Sequence, residues 1–307
     1  MPRIATLTLN PAIDSACEAE KVFPTHKIRT FGERYDPGGG GINVARVLAR
    51  LGSKVEVVYL SGGATGALLD ELLVDAGMHK HRIAIHDHTR MSLAVFERAT
   101  GQEFRFVPEG PLVSKDEWQA ALADSAALDC DWLVASGSLP RGVPDDFFAR
   151  LAAALAPRGV RLALDTSGPA LKAALDAGGL ALVKPSQGEF EALTGQTFAS
   201  PTEIGEAAQA MVRAGKAAMI AVTLGHEGAV LAHADGVEIR PGAKVEVRSA
   251  TGAGDSFVAG MVHALSGGAA AAEALRWGMA CGTAAVLNPG TGLAHVPDIE
   301  RMLALFA

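Results

Sequence analysis

Cysteine is scarce in this chain. The three present among 307 residues, Cys17, Cys130 and Cys281, lie far apart with no paired spacing. That excludes a disulfide framework and a cysteine zinc motif, and it suits a reducing cytoplasm. Aromatic residues make up only 5%, so a core must be built mainly from Ala, Leu and Val, which favours helices packed closely on a parallel sheet. There is no excess of positive charge. Lys and Arg number 27 against 34 Asp and Glu, a net charge of −7, which argues against nucleic acid or an acidic membrane surface as partner. No 18-residue apolar run is free of charges and breakers, and Met1-Pro2-Arg3-Ile4 runs into a strand pattern rather than a signal peptide. Two phosphate-binding motifs are also missing. There is no Gly-x-x-x-x-Gly-Lys-[Ser/Thr] loop, and the run Gly38–Gly41 follows Pro37 with the wrong glycine spacing for a dinucleotide fingerprint.

What is present is a long alternation of strand and helix patterns. Ile4–Leu9 reads as a first strand, broken by Asn10-Pro11-Ala12-Ile13-Asp14. Residues 15–36 read as short strands. Ile42, Val44, Val47, Leu48 and Leu51 give a helix closed by Gly52, then a strand at Val55–Leu60 and a helix near 65–76. Arg82–Ile85, Met91–Phe96 and Glu103–Val107 read as short strands, the last two joined at Thr100-Gly101. Beyond residue 114, helices near 114–127, 144–156, 168–177, 187–194 and 202–214 alternate with strands at Trp132–Ala135, Arg161–Leu164, Ala181–Val183 and Ala218–Thr223. A hairpin at 228–240 and helices near 252–266, 270–286 and 298–305 complete the chain. This order implies βαβ units and a parallel sheet covered on both faces. Residues 1–307 read as one unit, with a small β-sheet lid from about 12–35 and 82–107.

One stretch organises the rest: Ala250-Thr251-Gly252-Ala253-Gly254-Asp255-Ser256. Its glycines let the backbone bend, and Phe257, Val258, Met261, Val262 and Leu265 mark a helix with one buried side. A glycine turn opening a helix offers free N–H groups and the positive dipole end, which suits an anion. Asp255 sits in that first turn. A carboxylate beside an anion hole is what phosphoryl transfer to a hydroxyl requires. The four-glycine run before the helix at Ile42 would let backbone approach a polyhydroxy ligand, with Asn43 supplying an amide. A plain helix start and a flexible turn are the bland alternatives.

Together, Gly38-Gly39-Gly40-Gly41-Ile42-Asn43-Val44-Ala45 and Thr251-Gly252-Ala253-Gly254-Asp255-Ser256 resemble the two signatures of the ribokinase-like (PfkB) carbohydrate kinases. Thr6-Leu7-Thr8-Leu9-Asn10-Pro11-Ala12-Ile13-Asp14 and Gly137-Ser138-Leu139-Pro140 narrow the likeness to its phosphosugar branch, and Pro37 to Arg46 is most similar to the minor bacterial 6-phosphofructokinases. The resemblance runs from the first strand to beyond Asn288.

It implies a three-layer α/β/α sandwich with a mostly parallel central sheet and a β lid, and an ATP- and Mg²⁺-dependent, cytoplasmic, glycolytic phosphotransferase acting on fructose 6-phosphate. Asp255 would be the general base, with the backbone of Gly252, Ala253 and Gly254 as the anion hole. Asp14, Gly38, Gly39, Asn43 and Ser138 would bind sugar. Arg90 would hold the sugar phosphate, helped by Lys27 from a second subunit of a homodimer joined through the lid. Lys184, Ser186, Thr223, Gly225 and Gly228 would line the nucleotide site. Glu189 would act on Mg²⁺ through water, and Ala250, Ala285 and Asn288 would hold a monovalent cation such as K⁺.

The cations Lys27, Arg29, Arg90 and Arg105 all fall in small-sheet segments, where they would offset the negative chain for a phosphorylated sugar or simply blunt sheet edges. Two departures stand out. Lys184-Pro185-Ser186-Gln187-Gly188-Glu189 has serine where the family has asparagine, and Asn288-Pro289-Gly290-Thr291-Gly292 has glycine where the branch tends to have arginine. Fructose 1-phosphate and tagatose 6-phosphate are the alternative substrates. A non-catalytic sugar-phosphate sensor is the alternative of a different class, and a dinucleotide oxidoreductase is a distant third. His79, His81, His86 and His88 lack carboxylates or thiols at ligand spacing, so a zinc site is not expected. Asp165, after a strand, suits substrate, magnesium or a helix cap with Ser167.

Overall fold

The computed structural model describes residues 3–290 and 292–307. The first strand, β1 (Ile4–Thr8), is buried along its whole length, and its side chains alternate between two cores. Ile4 belongs to one, Ala5 and Leu7 to the other. That alternation is the period-two geometry of a strand covered on both faces.

From β1 the chain forms β2 (Ala12–Ala19) and β3 (Thr30–Gly38), then α1 (Gly40–Arg50), β4 (Val55–Gly62), α2 (Gly63–Leu72) and β5 (Met78–Ile85). β6 (Arg90–Glu97) and β7 (Gln102–Phe106) follow, then α3 (Lys115–Ala127), β8 (Trp132–Ser136), α4 (Phe147–Leu155), β9 (Arg161–Asp165) and α5 (Gly168–Ala177). The rest is β10 (Leu182–Val183), α6 (Gln187–Thr194), α7 (Pro201–Arg213), β11 (Met219–Thr223), β12 (Gly228–His233), β13 (Gly236–Pro241), α8 (Ala253–Ser266), α9 (Ala271–Val286) and α10 (Val296–Leu305).

Nine strands make the main sheet in the order β13-β12-β11-β10-β9-β8-β1-β4-β5. The pairs β11–β12 and β12–β13 are antiparallel and the others parallel. Residues of α1, α8, α9 and α10 pack on one face, residues of α3 to α7 on the other. Four strands form a second sheet, β3-β2-β6-β7, in which β2 and β6 are parallel and the outer pairs antiparallel. Among the described residues no helix is long and apolar enough to cross a membrane.

Three expectations need correction. Arg82–Ile85 does not join the small sheet. It is the end of β5, an edge strand of the main sheet paired with β4, because Ile83 and Ile85 bury against the second core. Asn10–Asp14 is not a break throughout, since β2 already starts at Ala12. The helix expected near 65–76 begins at Gly63 and stops at Leu72.

α8 and α9 touch through small residues. A Cβ added at Gly278 would stand 2.7 Å from Met261 Cγ, and one at Gly260 would stand 2.8 Å from Cys281 Sγ. The two glycines therefore let the helices approach closely, which sets where the N-terminus of α8, and Asp255 with it, emerges.

Candidate active site

Ligands of parallel sheets sit beyond the carboxyl ends of the strands, where strand order reverses. Here the reversal falls at β1, which has β4 on one side and β8 on the other. β1 ends at Thr8, β8 at Ser136 and β9 at Asp165, and Lys184 follows β10.

The glycine run packs α1 tightly onto these ends. A Cβ at Gly39, where φ is 112°, would come 2.7 Å from Thr8 Cγ2, and one at Gly41 would come 2.6 Å from the Leu7 carbonyl. At Gly40 it would collide with the Ser136 hydroxyl. So the run does more than turn, because it brings the N-terminus of α1, with Asn43, against the floor of the cleft.

α8 reaches the same floor. Gly252 caps it in the left-handed region, φ 75° and ψ 0°, where a side chain is disfavoured. The N–H groups of Gly254 and Asp255 have no acceptor among the described residues. Asp255 Oδ2 accepts a hydrogen bond from Asn43 Nδ2 at 2.9 Å, and Oδ1 lies 3.4 Å from Ser136 Oγ. The Lys184 ammonium is almost fully buried, pairs with Asp165 Oδ1 at 3.1 Å and lies 3.5 Å from where a Gly254 Cβ would stand.

These charges perturb one another. Burial, and then the neighbouring Asp165 carboxylate, push Asp255 up to about 6, against the pull of Asn43, Lys184 and Ser136. Burial also raises Asp165, with Lys184 opposing it. For Lys184, burial lowers the pKa, but Asp165, Glu189 and Asp255 outweigh it, so the ammonium stays charged. A base poised near neutrality beside a fixed cation and free N–H groups can take a hydroxyl proton while a phosphoryl group is held opposite.

Of the residues expected to bind sugar, Asp14 and Arg90 lie on the small sheet. Asp14 accepts a short hydrogen bond from the Ser92 hydroxyl and lies against Gly38, where any Cβ would strike its carboxylate. Arg90 donates to the carbonyls of Pro108 at 2.9 Å and Asn10 at 3.0 Å, and burial lowers its pKa. Its Nε has no partner among the described residues. Asn10 Nδ2 donates to Ser138 Oγ at 3.1 Å. Arg105 of β7 donates to Thr251 Oγ1 at 3.0 Å, so the small sheet meets the glycine turn directly. Lys27 is exposed in the connection between β2 and β3.

On the opposite side, Ser186 and Thr223 meet as a parallel bridge beside Lys184. Ser186 caps α6 in a reciprocal box with Glu189: Ser186 N and Oγ donate to Glu189 Oε2 at 2.7 and 2.8 Å. The serine in place of asparagine is thus engaged with the acid expected to act on metal. Gly225 adopts φ 62° with open space around it, whereas Gly228, φ 118°, is demanded by the turn itself, since a Cβ there would lie 2.7 Å from Gly242 N. The 248–251 loop rests on the end of α9, with Arg248 N donating to the Val286 carbonyl at 2.8 Å. Ala285 lies in the last turn of that helix and Asn288 just beyond it, and Asn288 Nδ2 donates to the Ala284 carbonyl at 3.1 Å.

The family model for pfkB carbohydrate kinases matches residues 7–299. The chain belongs to the pfkB family of carbohydrate kinases. It is 39% identical over 310 residues to the ATP-dependent 6-phosphofructokinase isozyme 2 of Escherichia coli, covering 99% of each chain. It is 35% identical to the 1-phosphofructokinase of Rhodobacter capsulatus, covering 99% of this chain and 95% of the relative. Two solved structures of phosphofructokinase-2 from Escherichia coli superpose over all of this chain and 99% of theirs. The one in complex with potassium has TM-score 0.95 at 38% identity, and the one in complex with fructose-6-phosphate has TM-score 0.93 at 37%.

In this pfkB kinase one residue of the candidate site, Ser136, is not among those the sequence points to. Ser136 is the last residue of a buried strand, a position that parallel sheets expose to ligand, but its type alone is uninformative. For Asp165 the sequence offers substrate, magnesium or a helix cap with Ser167. Its carboxylate goes to Lys184, and Ser167 caps α5 without a side-chain hydrogen bond. The four histidines form no metal cluster among the described residues.

Proposed function

We propose that this kinase transfers the γ-phosphoryl group of ATP to the C1 hydroxyl of fructose 6-phosphate, giving fructose 1,6-bisphosphate and ADP. The observation that carries the reading is Asp255, held by Asn43 and Ser136 at the mouth of a glycine-capped helix with free N–H groups. The sugar oxygen gives its proton to Asp255 as it attacks the γ-phosphorus in line. The bond to the β–γ bridging oxygen breaks and ADP departs. The N–H groups of the Gly252–Gly254 turn and the Lys184 ammonium stabilise charge on the phosphoryl oxygens.

Sugar hydroxyls fall to Asp14, Asn43, Ser138 and the backbone of Gly38 and Gly39, and the 6-phosphate to Arg90. Thr223, Gly225, Gly228 and Ser186 line the nucleotide side. Three carboxylates, Asp165, Glu189 and Asp255, act on one buried lysine, so triphosphate needs a further cation. The described residues contain no protein-only metal cluster, which fits Mg²⁺ held mainly by phosphates and water, with Glu189 or Asp165 beyond its waters. Bound there, Mg²⁺ would neutralise charge on the phosphates. Carbonyls of Ala250 and Ala285 with the Asn288 side chain, at the negative end of α9, fit K⁺.

The second subunit would dock on the outer face of the small sheet. Tyr35, Ser15, Leu93 and Phe106 sit side by side across its four strands, on the face opposite Asp14. Three of the four are large apolar residues, at 47%, 39% and 57% exposure for Tyr35, Leu93 and Phe106. An uncovered four-strand face of this kind calls for a partner. Lys27, exposed at its rim, would then serve the neighbouring protomer's sugar phosphate.

A coupled ADP-release assay across fructose 6-phosphate, fructose 1-phosphate and tagatose 6-phosphate tests the reading. The 1-phosphofructokinase relative makes fructose 1-phosphate the competing substrate. Highest kcat/KM on fructose 6-phosphate is expected. Binding of sugar phosphate by calorimetry without turnover on any of the three would instead mark a sensor.

A further inference from the structure

The geometry points to Ser136 as a positioning residue for the base, a hydroxyl that swings its single hydrogen bond from one carboxylate to the other during turnover. The inference rests on the kinase reading above and deepens it. Ser136 Oγ lies 3.4 Å from Asp255 Oδ1 and 3.5 Å from Asp165 Oδ2. A hydroxyl carries one donor hydrogen, so it cannot serve both acids at once. Both distances are longer than a full-strength O–H···O bond, as expected of a donor held midway.

Its surroundings keep it there. Ser136 is buried at the end of β8, and its oxygen faces Gly40, where any Cβ would displace it. The other oxygen of Asp255 is held by Asn43 at 2.9 Å, and the other oxygen of Asp165 by Lys184 at 3.1 Å. Each acid therefore has one fixed partner and one face turned to the shared hydroxyl.

Before transfer Asp255 is ionised, and the Ser136 O–H pointing at Oδ1 fixes the plane of the carboxylate. When the sugar oxygen attacks phosphorus, its proton goes to Asp255. The neutral acid is a weaker acceptor. The Ser136 O–H then rotates to Asp165, whose other oxygen stays paired with the Lys184 ammonium. Ser136 gives up no proton of its own and makes no bond to substrate.

The test uses Ser136→Ala and Ser136→Cys in the full chain, measured on the wild type's best sugar phosphate. Absence of turnover in the wild type would remove the kinase reading itself, independently of Ser136. With turnover established, Ser136→Ala should lower kcat about 10-fold or more while KM for the sugar changes less than about 3-fold, the loss expected for one hydrogen bond to a charged group. Its acid limb in kcat/KM should move to higher pH by about half a unit or more, because the ionised base has lost a donor. Ser136→Cys, a weaker donor of similar shape, should fall between. In an Asp255→Asn background, Ser136→Ala should cost little more, since the two act as a unit. An unmoved acid limb, or full additivity with Asp255→Asn, would overturn the proposal, and so would a Ser136→Ala variant whose only change is a lower Tm. Should Ser136→Ala fail to fold, the same limb in Ser136→Cys decides.

Discussion

Asn43 and Asp255 are 212 positions apart in the chain, yet the Asn43 amide donates to the Asp255 carboxylate at 2.9 Å. Each sits in the first turn of its helix, α1 and α8. The bond ties the two glycine segments into one site and fixes the carboxylate plane before substrate arrives. Several measurements probe that arrangement.

The first concerns pH. As the proposed base, Asp255 must be ionised to accept the sugar proton, and burial pushes it up to about 6. kcat/KM should therefore rise through about pH 6 and level off above about pH 7, the behaviour of a required base in the free enzyme. A profile flat down to pH 4.5 would show that another group takes the proton.

Asp255→Asn separates function from stability. Loss of the base should lower kcat by about 10²–10⁴ with sugar binding largely kept. The fold should gain. Asp255 has a folded pKa of about 6 against an ordinary 3.8, so its ionised form costs stability in full above pH 6. That cost fades as pH falls from about 6 towards 4. The variant should therefore melt higher than wild type at pH 8, by at most a few kcal/mol at about 1.4 kcal/mol per unit, with the difference vanishing near pH 4. Equal melting at both pH values contradicts the raised pKa.

Gly40→Ala places a methyl against Ser136. Overpacking there should cost about 1–3 kcal/mol in urea unfolding, with a matching fall in kcat as Ser136 moves. Gly188→Ala in α6 is the control. Its added Cβ meets nothing within 4 Å, so it should be neutral or gain up to about 1 kcal/mol. A harmless Gly40→Ala would mean the packing of α1 on β8 is looser than described.

The exposed row on the small sheet predicts the oligomer. Leu93→Glu puts a charge at its centre, beside Phe106 and opposite Ser15. Sedimentation should find wild type as a dimer and the variant as a folded monomer with a raised KM for sugar phosphate. A monomeric wild type, or a dimeric variant, would place the interface elsewhere.

Potassium should activate. With K⁺ replaced by tetramethylammonium, which is too large for a nest of carbonyls, activity should fall, and K⁺ should restore it in a saturable way. Identical rates in both salts would leave Ala250, Ala285 and Asn288 without that role.

The residues themselves announced much of this. Alternating apolar strands and one-sided helices specify a covered parallel sheet whatever the partners, because burying backbone polar groups requires pairing them. The two glycine segments were readable because so few residue types tolerate positive φ or such close backbone approach, and the role expected of Asp255 came from its place beside one of them together with the resemblance to the carbohydrate-kinase signatures. Composition and spacing could not reveal which strand neighbours which. Ile83 and Ile85 alternate as a strand would in either sheet, and only the second core assigns them to β5. Nor could they show that Ser136 and Asp165 would meet Lys184 and Asp255. Local sequence determines what each segment can become, since propensity and periodicity act within a few residues. The perturbed charge of the base arises from contacts made between distant segments on folding, so the tertiary structure alone decides it.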